Sequence, residues 1–171
     1  QKRQETNELR PAIMAKWPYT ARRKALWRPM LIQKPDNPAA IRNASRQGRF
    51  SGPTGGLALG KAQANLAILP REAALEFLIF CQRNPKPCPI IDVTDPGDPE
   101  PKQTAKGADI RTDLPLYRVY KQGQLVDEPT DILSYWRDDL VAFLIGCSFT
   151  FENAMLSAGL PLNHHRQGGS V

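Results

Sequence analysis

The sequence predicts one domain of mixed α/β (α+β) class, and three observations lead to that class. Hydrophobic residues make up 41% of the 171 residues and charged residues 23%, so the chain can bury a core. Helix-like and strand-like patterns of apolar residues are interleaved along the chain. Sixteen prolines, nearly twice the roughly 5% that is usual, predict many stiff loops. The longest apolar run, residues 140–145, is far shorter than the roughly 20 residues of a membrane-spanning helix.

Residues 38–83 are predicted to form two helices separated by a loop. Residues 38–48 are predicted to form a short helix, because a proline stands in the first turn and a glycine at the end. Residues 50–60 hold four glycines and a proline and predict a loop, without the spacing of a phosphate-binding GxxxxGK[ST] or GxGxxG motif. Residues 70–83 give the strongest helix signal. Their apolar spacing predicts a buried face made of Ala74, Phe77, Leu78 and Cys81.

The second half predicts a strand, a hairpin and two further helices. Residues 90–94 are strand-like, bounded on one side by a run of prolines. Two strand-like stretches at 116–120 and 124–126 flank a short turn, which predicts a hairpin. Residues 131–145 are predicted as a helix, and a last helix runs from about Ser148 to Ala158.

The net charge of +6 belongs entirely to the first 29 residues. They carry eight Lys or Arg and two Glu, whereas residues 30–171 carry 15 basic and 15 acidic residues. We therefore divide the chain into a basic arm, residues 1–29, and a body, residues 30–171, without net charge. Such a body gives no support for a basic face, so we expect no specific nucleic-acid partner.

Three interpretations of the basic arm stay open. Three prolines interrupt any helix in it, so it is a disordered tail, a segment of organellar-transit type or an extension that is not native. Met30 would open the native chain under the third interpretation. The arm has no apolar stretch of the kind found in secretory signals. We expect a cytoplasmic protein, with the mitochondrial matrix as the alternative.

The cysteine and histidine pattern does not predict a metal site. Three cysteines without CxxC spacing argue against a disulfide framework and a structural zinc site, and they fit a reducing compartment. Cys81 and Cys88 are interpreted as packing residues. The adjacent His164 and His165 would point to different sides of an extended chain, which makes a poor metal site.

Asp109, Arg111 and Asp113 form the first candidate site. If this segment is extended, these alternate positions share one face. A planar guanidinium there could clamp a substrate carboxylate, and a flanking Asp could transfer a proton. The alternative is a structural Arg–Asp network that only holds the loop.

Cys147, Ser148 and Glu152 form the second candidate site, where Gly146 ends one element and a new helix begins. Backbone N–H groups at a helix start favour anions and acidify a thiol. Cys147 is therefore a candidate nucleophile and the turn a candidate oxyanion site, with Glu152 one helical turn away. The alternative is a serine N-cap, a small packed cysteine and a glutamate that favours the helix dipole.

Five segments of the body carry a resemblance to a known family. They are residues 48–54 (GRFSGPT), 63–70 (QANLAILP), 80–89 (FCQRNPKPCP), 109–117 (DIRTDLPLY) and 143–152 (FLIGCSFTFE). Together and in this order they resemble the D-glutamate cyclase family, whose bacterial members are named as hydro-lyases. The resemblance covers about residues 37–171. Family members are longer, so it implies an N-terminal fragment of a larger fold that lacks later site residues.

The resemblance implies a carbon–oxygen lyase that dehydrates D-glutamate to 5-oxo-D-proline without metal or cofactor. Ring closure needs a neutral amine to attack the γ-carboxyl, an acid for the leaving hydroxide and a stabilised oxyanion. The candidates for substrate binding are Arg111 and Tyr117. Asp109 or Asp113 would accept the amine proton, and Glu152 would protonate the leaving oxygen. The Cys147–Ser148 turn would bind the oxyanion.

Three functions stay open at this point. The first is a lyase of this family acting on a small acidic amino acid. The second is a hydro-lyase of the same fold acting on another small carboxylic acid, and the third is a non-catalytic fragment or binding module. A nonspecific nucleic-acid binder is a more distant fourth, because its charge would reside on the proline-broken arm. We expect no membrane partner, and a homo-oligomer stays open.

Overall fold

The structure is a computed structural model that describes residues 12–15, 37–55 and 57–163. The described part of the chain forms one six-stranded sheet with helices around it, so the predicted mixed α/β class is confirmed. The strands are β1 (Ala12–Ala15), β2 (Ala64–Pro70), β3 (Ile90–Val93), β4 (Arg118–Lys121), β5 (Gln124–Asp127) and β6 (Leu140–Gly146). The helices are α1 (Pro38–Arg46), α2 (Arg71–Arg83), α3 (Ser148–Ser157) and a 3₁₀ helix (Leu133–Tyr135).

The sheet is antiparallel throughout, with strands in the order β3-β6-β2-β1-β4-β5. Its centre is the pairing of β2 with β6, which runs from Ala64 opposite Gly146 to Pro70 opposite Leu140. Both strands are rich in β-branched and other apolar residues, which pack well on a pleated surface. The core against this sheet consists of Leu66, Ile68, Ile110, Tyr117, Val119, Ile132, Leu140 and Ala142.

Most of the predicted elements are confirmed. Helix α1 ends before Gly48, whose φ of +65° is the left-handed conformation that favours glycine at a helix stop. Helix α2 buries the predicted face only in part, since Cys81 is 1% exposed but Ala74, Phe77 and Leu78 are half-buried. Leu75, outside that face, is 65% exposed. The predicted strand at 90–94, the hairpin and the last helix correspond to β3, the β4–β5 pair and α3.

The predicted helix over residues 131–145 is wrong. Only Leu133–Tyr135 is helical, as a 3₁₀ turn, and Leu140–Gly146 is strand β6. This apolar run lies between β2 and β3, and Leu140, Ala142 and Phe143 are at most 1% exposed. A strand that is buried on both faces loses the alternation of a half-buried strand, and its pattern cannot be told from that of a buried helix.

Strand β1 lies inside the basic arm, where the sequence pattern predicts no strand. Ala12–Ala15 pairs with β2 on one side and β4 on the other, and Ile13 lies opposite both Ile68 and Val119. These four residues therefore connect the β2–β6 half of the sheet to the β4–β5 hairpin. The remaining arm residues, and His164 and His165, lie outside the described residues.

No helix in the described ranges combines the length and the hydropathy that crossing a bilayer requires.

Gly97 is the glycine whose replacement is expected to cost most in stability. Its φ is +77°, and a Cβ there would lie 2.9 Å from the backbone oxygen of Asp138. Gly123 has a similar φ of +76° but nothing within 4 Å, so it is a matched control. We expect Gly97→Ala to lower the free energy of unfolding by about 2 kcal/mol and Gly123→Ala by about 1 kcal/mol. Urea denaturation measures both, and equal losses would contradict the role of the Asp138 contact.

Candidate functional site

The segment that holds Asp109, Arg111 and Asp113 is a tight turn rather than extended chain. The backbone oxygen of Asp109 accepts hydrogen bonds from the N–H groups of Thr112 (3.1 Å) and Asp113 (2.9 Å). Because the segment is not extended, the alternation of a strand cannot be what places Asp109, Arg111 and Asp113 on one face. The turn nevertheless keeps the three side chains close together, because each is hydrogen-bonded within the same small network.

Asp109 and Arg111 form a bidentate ion pair. The Arg111 Nε donates to Asp109 Oδ1 at 2.9 Å and Nη2 donates to Oδ2 at 2.8 Å. Burial raises the pKa of Asp109, but the hydrogen bonds from the Arg111 side chain and backbone N–H outweigh burial and leave that pKa lowered. The same pairing raises the pKa of Arg111. One edge of this guanidinium is thus already occupied by a carboxylate of the chain itself.

Asp113 is bound by arginines of helix α1. Its side chain is 1% exposed, and its Oδ1 accepts from Arg46 Nε at 2.7 Å and lies 2.6 Å from Arg46 Nη2. Its Oδ2 accepts from the backbone N–H of Asp109 at 2.9 Å and lies 3.8 Å from Arg42 Nε. Arg42 and Arg46 stand four residues apart on α1, which places both on one helix face. Asp113 therefore joins the 109–113 turn to α1.

Tyr117 is fully buried beneath the turn. Its hydroxyl donates to the backbone oxygen of Ile110 at 2.7 Å and accepts from the N–H of Leu114 at 3.2 Å. Burial strongly raises the pKa of the phenol. Both functions of the hydroxyl are used within the fold, so Tyr117 supports the turn from below.

An open groove of about 590 Å³ adjoins this network. The start of α1, Arg42, Lys61 and residues 104–106 line it, and Lys106 is the third cation. Buried Asp92 fixes the far wall, because its Oδ2 accepts hydrogen bonds from the N–H groups of Gln103 (3.1 Å) and Thr104 (3.0 Å) and from the Thr104 hydroxyl (2.9 Å). The lining residues, all within the described ranges, carry three positive charges and no carboxylate. Such a lining attracts anions.

Cys147 and Ser148 lie at the start of α3, next to Gln63. The N–H and thiol of Cys147 approach the backbone oxygen of Gln63 at 3.4 and 3.5 Å, and the N–H of Gln63 donates to the Thr150 hydroxyl at 2.9 Å. No side chain caps the first turn of α3. Backbone N–H groups at such a helix start favour an anion. Glu152, one turn further, is 8% exposed.

Gln63 also holds the glycine-rich loop. Its Nε2 donates to the backbone oxygens of Thr54 and Leu57, both at 3.1 Å. Gly55 in this loop faces the ring of Phe149, and a Cβ there would lie 3.2 Å from the ring, so an added methyl group would require the ring to shift by a few tenths of an ångström. The predicted glycine-rich loop thus packs against the start of α3.

Sequence reasoning missed Arg42, Arg46, Lys61 and Lys106. The i, i+4 spacing of Arg42 and Arg46 on a predicted helix was a usable signal for one cationic face. Lys61 and Lys106 are 45 residues apart in sequence, and both line the groove. No local pattern could have paired them.

No group of three His, Cys, Asp or Glu within the described part of the chain is arranged to hold a metal ion.

Acidification is expected to remove the stability that the Asp109–Arg111 pair contributes. The pKa of Asp109 in the folded chain lies below its ordinary value of 3.8. The ion pair therefore contributes its full stability when the pH is above that ordinary value. This contribution is lost as the pH falls through the folded-state pKa. Arg111→Gln removes the main lowering cause, so its stability should fall less steeply with acidification. Urea denaturation from neutral to acidic pH measures the slopes, with Lys86→Gln as a control for loss of one exposed positive charge. Equal slopes in Arg111→Gln and the unmodified chain would contradict the prediction.

The chain is similar to a known protein family and to several curated proteins. Residues 141–171 match the family model described as D-glutamate cyclase. A protein named "Putative hydro-lyase" from Stutzerimonas stutzeri is 61% identical over 135 residues, covering 79% of this chain and 51% of that protein. Another with the same name from Rubrobacter xylanophilus is 62% identical over 133 residues, covering 78% and 51%. A third, from Bacillus pumilus, is 53% identical over 142 residues, covering 83% and 54%. The chain spans about half the length of the curated relatives it matches.

Proposed function

The chain is a relative of the D-glutamate cyclase family and of the proteins named hydro-lyases, and from that premise we propose that it belongs to a lyase acting on a small acidic substrate. The proposed reaction is dehydration of D-glutamate to 5-oxo-D-proline. The observation that carries the substrate class is the open groove lined by Arg42, Lys61 and Lys106. A dicarboxylic amino acid brings two negative charges, and three cations without a lining carboxylate suit such a substrate.

Ring closure of D-glutamate requires few catalytic groups. The α-amine attacks the carbon of the γ-carboxyl group, a C–N bond forms, a C–O bond of that group breaks and one water leaves. The tetrahedral intermediate carries negative charge on oxygen, which backbone N–H groups stabilise well. The leaving oxygen needs a proton, and the attacking amine must lose one.

We assign the substrate carboxylate to Arg42 in preference to Arg111. Asp109 already takes one bidentate edge of the Arg111 guanidinium. Arg42 lines the groove, its side chain is 28% exposed, and its contact with Asp113 is long at 3.8 Å. A guanidinium in this position can bind a carboxylate through two N–H groups. Arg111 and Asp109 then act as positioning residues, since a lowered pKa makes the Asp109 carboxylate a weak proton acceptor.

The start of α3 is the proposed oxyanion site. The first-turn N–H groups after Cys147 have no side-chain cap, and Ser148 adds a hydroxyl at the same place. Glu152 is buried one turn along the helix, where a carboxylic acid could protonate the leaving oxygen. A cytoplasmic location, with the mitochondrial matrix as the alternative, would suit a chain whose three cysteines are all free thiols.

Turnover of glutamate enantiomers tests this proposal. The chain and the Stutzerimonas stutzeri relative would be incubated separately with D-glutamate and with L-glutamate, and 5-oxoproline would be measured by chiral chromatography. Formation of 5-oxo-D-proline from D-glutamate alone is the expected result. Because the chain covers only 51% of the relative, activity in the relative but not in the chain would place essential groups in the part that the chain does not span. If both proteins are folded and neither turns over D-glutamate, the cyclase reaction is rejected in favour of another small carboxylic acid.

A further inference from the structure

Helix α3 exposes apolar side chains and buries its one charged residue. Its ten residues, SFTFENAMLS, include a single charge, that of Glu152, which is 8% exposed. Phe151, by contrast, is 68% exposed and Leu156 is 37% exposed. These two residues stand on opposite sides of Glu152 around the helix, so the uncharged surface extends over both flanks. A surface helix normally turns its charges to water and its apolar residues to the core. The arrangement in α3 is the reverse, which indicates that another surface covers it.

Helix α2 differs from α3 in this respect. Its Leu75, Ile79 and Phe80 are exposed, but so are Glu76 and Arg83. By helical spacing, the two charged residues lie between Ile79 and Phe80 around the helix. The exposed apolar residues of α2 are thus divided by charges that water solvates, which is ordinary for a surface helix. Helix α3, whose charge is buried, needs a different explanation.

A protein surface suits α3 better than a lipid bilayer does. A helix of ten residues is about 15 Å long, half of the roughly 30 Å that crossing a bilayer requires. Helices that lie along a bilayer carry Lys and Arg on their polar side, whereas the sequence of α3 contains neither. The centre of a protein–protein interface is poor in charged residues and rich in aromatic residues and methionine. Phe151 and the half-buried Met155 give α3 this composition.

The curated relatives contain enough additional chain to provide the covering surface. The matched region is 51% of the Stutzerimonas stutzeri protein and 54% of the Bacillus pumilus protein, so each holds nearly as much chain again. The family model matches residues 141–171, the stretch that includes α3. Two parts of one folded protein share a core through faces that neither part can bury alone. We propose that α3 is the docking surface for the part of the hydro-lyase chain that this chain does not span.

This contact would complete the surroundings of the Cys147–Ser148 turn. Cys147 is the N-cap of α3 and Ser148 is its first residue, so a partner on Phe151 lies about one helical turn from them. Such a partner keeps water away from the turn, and electrostatic stabilisation of a developing negative charge is stronger where water is excluded. This consequence rests on the proposed function, whereas the docking surface itself does not.

Hydroxyl-radical footprinting of the whole chain and of the whole Stutzerimonas stutzeri relative tests the proposal. Oxidation is measured by peptide mass spectrometry, and each rate is divided by the rate for the same position in the urea-unfolded protein. We expect Phe151 to be oxidised readily in the folded chain and the aligned position to lose most of its oxidation in the relative. Phe143, which is 1% exposed, marks the protected value. Equal normalised rates at Phe151 and at its aligned position would overturn the proposal.

A dilution series separates the proposed partner from a second copy of the protein. Protection that comes from within one chain of the relative is independent of concentration, and this is the expected result. Protection of the relative that disappears on dilution would assign α3 to contact between copies and would overturn the proposal.

Phe151→Asp and Leu75→Asp are a matched pair, because their positions are exposed to a similar extent, 68% and 65%. In the chain, both changes should alter the urea midpoint little. In the relative, the change aligned with Phe151→Asp should lower the midpoint strongly because it buries a charge, whereas the change aligned with Leu75→Asp should not. Equal small shifts for the two changes in the relative would contradict docking at α3. These measurements require no turnover, so a failed docking test and a failed cyclase assay are separate results.

Discussion

Asp113→Ala is expected to lower the free energy of unfolding by about 3 kcal/mol, the lower end of the loss that follows when one partner of a buried ion pair is removed. The carboxylate is 1% exposed and accepts from Arg46 and from the backbone N–H of Asp109. Its removal leaves that half-buried N–H without its acceptor. We place the loss at the lower end because Arg46 is 45% exposed and can be hydrated after the change.

Urea denaturation measures this loss, with two comparisons. Asp95→Ala removes a carboxylate whose side chain is 76% exposed and pairs with Lys102, so we expect no measurable change. Asp113→Asn keeps the shape and one acceptor, and its loss should fall between those of the other two variants. If Asp113→Ala unfolds at the same urea concentration as Asp95→Ala, the turn does not depend on its link to α1.

Local signals were sufficient to predict the helices and the hairpin. Helix α2 has a proline at its start, an acid in the first turn, an arginine in the last turn and apolar residues at helical spacing. The hairpin has Gln122 and Gly123 between its strands, and both adopt positive φ, as the tight turn of a hairpin requires. These features act over a few residues, so no knowledge of the rest of the chain is needed.

The central strands depend on partners that are distant in sequence. Strand β6 is apolar on both faces because Leu140 and Ala142 belong to the main core whereas Phe143 packs against Phe77 of α2, and its sequence pattern predicted a helix. Strand β1 consists of four residues in a basic, proline-containing segment, and its position between β2 and β4 follows from pairing rather than from its own propensity. Such elements are specified by tertiary contacts, which single-sequence patterns do not contain.

The candidate site likewise combines residues that local sequence predicts with residues that only the fold brings together. The cluster at 109–113 was found from sequence, and the alternative of a structural Arg–Asp network describes the observed contacts of Asp109 and Asp113 well. The cations of the groove come from α1, the residue after the glycine-rich loop, and the 104–106 segment. Their convergence depends on Asp92, which holds residues 103 and 104 from a strand. A site assembled from separate loops leaves little trace in any one segment.

Arg42→Gln is expected to raise KM for the acidic substrate by roughly 10- to 100-fold, the equivalent of losing a charge-assisted hydrogen-bonded contact. This prediction rests on the proposed function. The groove offers Arg42 as a guanidinium beside two lysines, and glutamine keeps much of the side-chain length while removing the charge. An interaction made equally with the ground state and the transition state affects KM and leaves kcat nearly unchanged. Steady-state kinetics with D-glutamate would be measured on the chain or, if the chain alone is inactive, on the Stutzerimonas stutzeri relative with the corresponding arginine replaced.

Three further variants distinguish substrate binding from structural support. Arg49→Gln removes an exposed arginine just beyond α1 that does not line the groove, so its KM should stay unchanged. Arg42→Lys keeps the charge but not the bidentate edge, and it should recover part of the loss. Lys61→Gln should raise KM by a smaller factor, because a flexible ammonium makes a less specific contact. Since Arg42 lies 3.8 Å from Asp113, the urea midpoint of Arg42→Gln must be measured as well. A raised KM with an unchanged midpoint supports carboxylate binding, whereas an unchanged KM with a lowered midpoint makes Arg42 part of the Asp113 network alone.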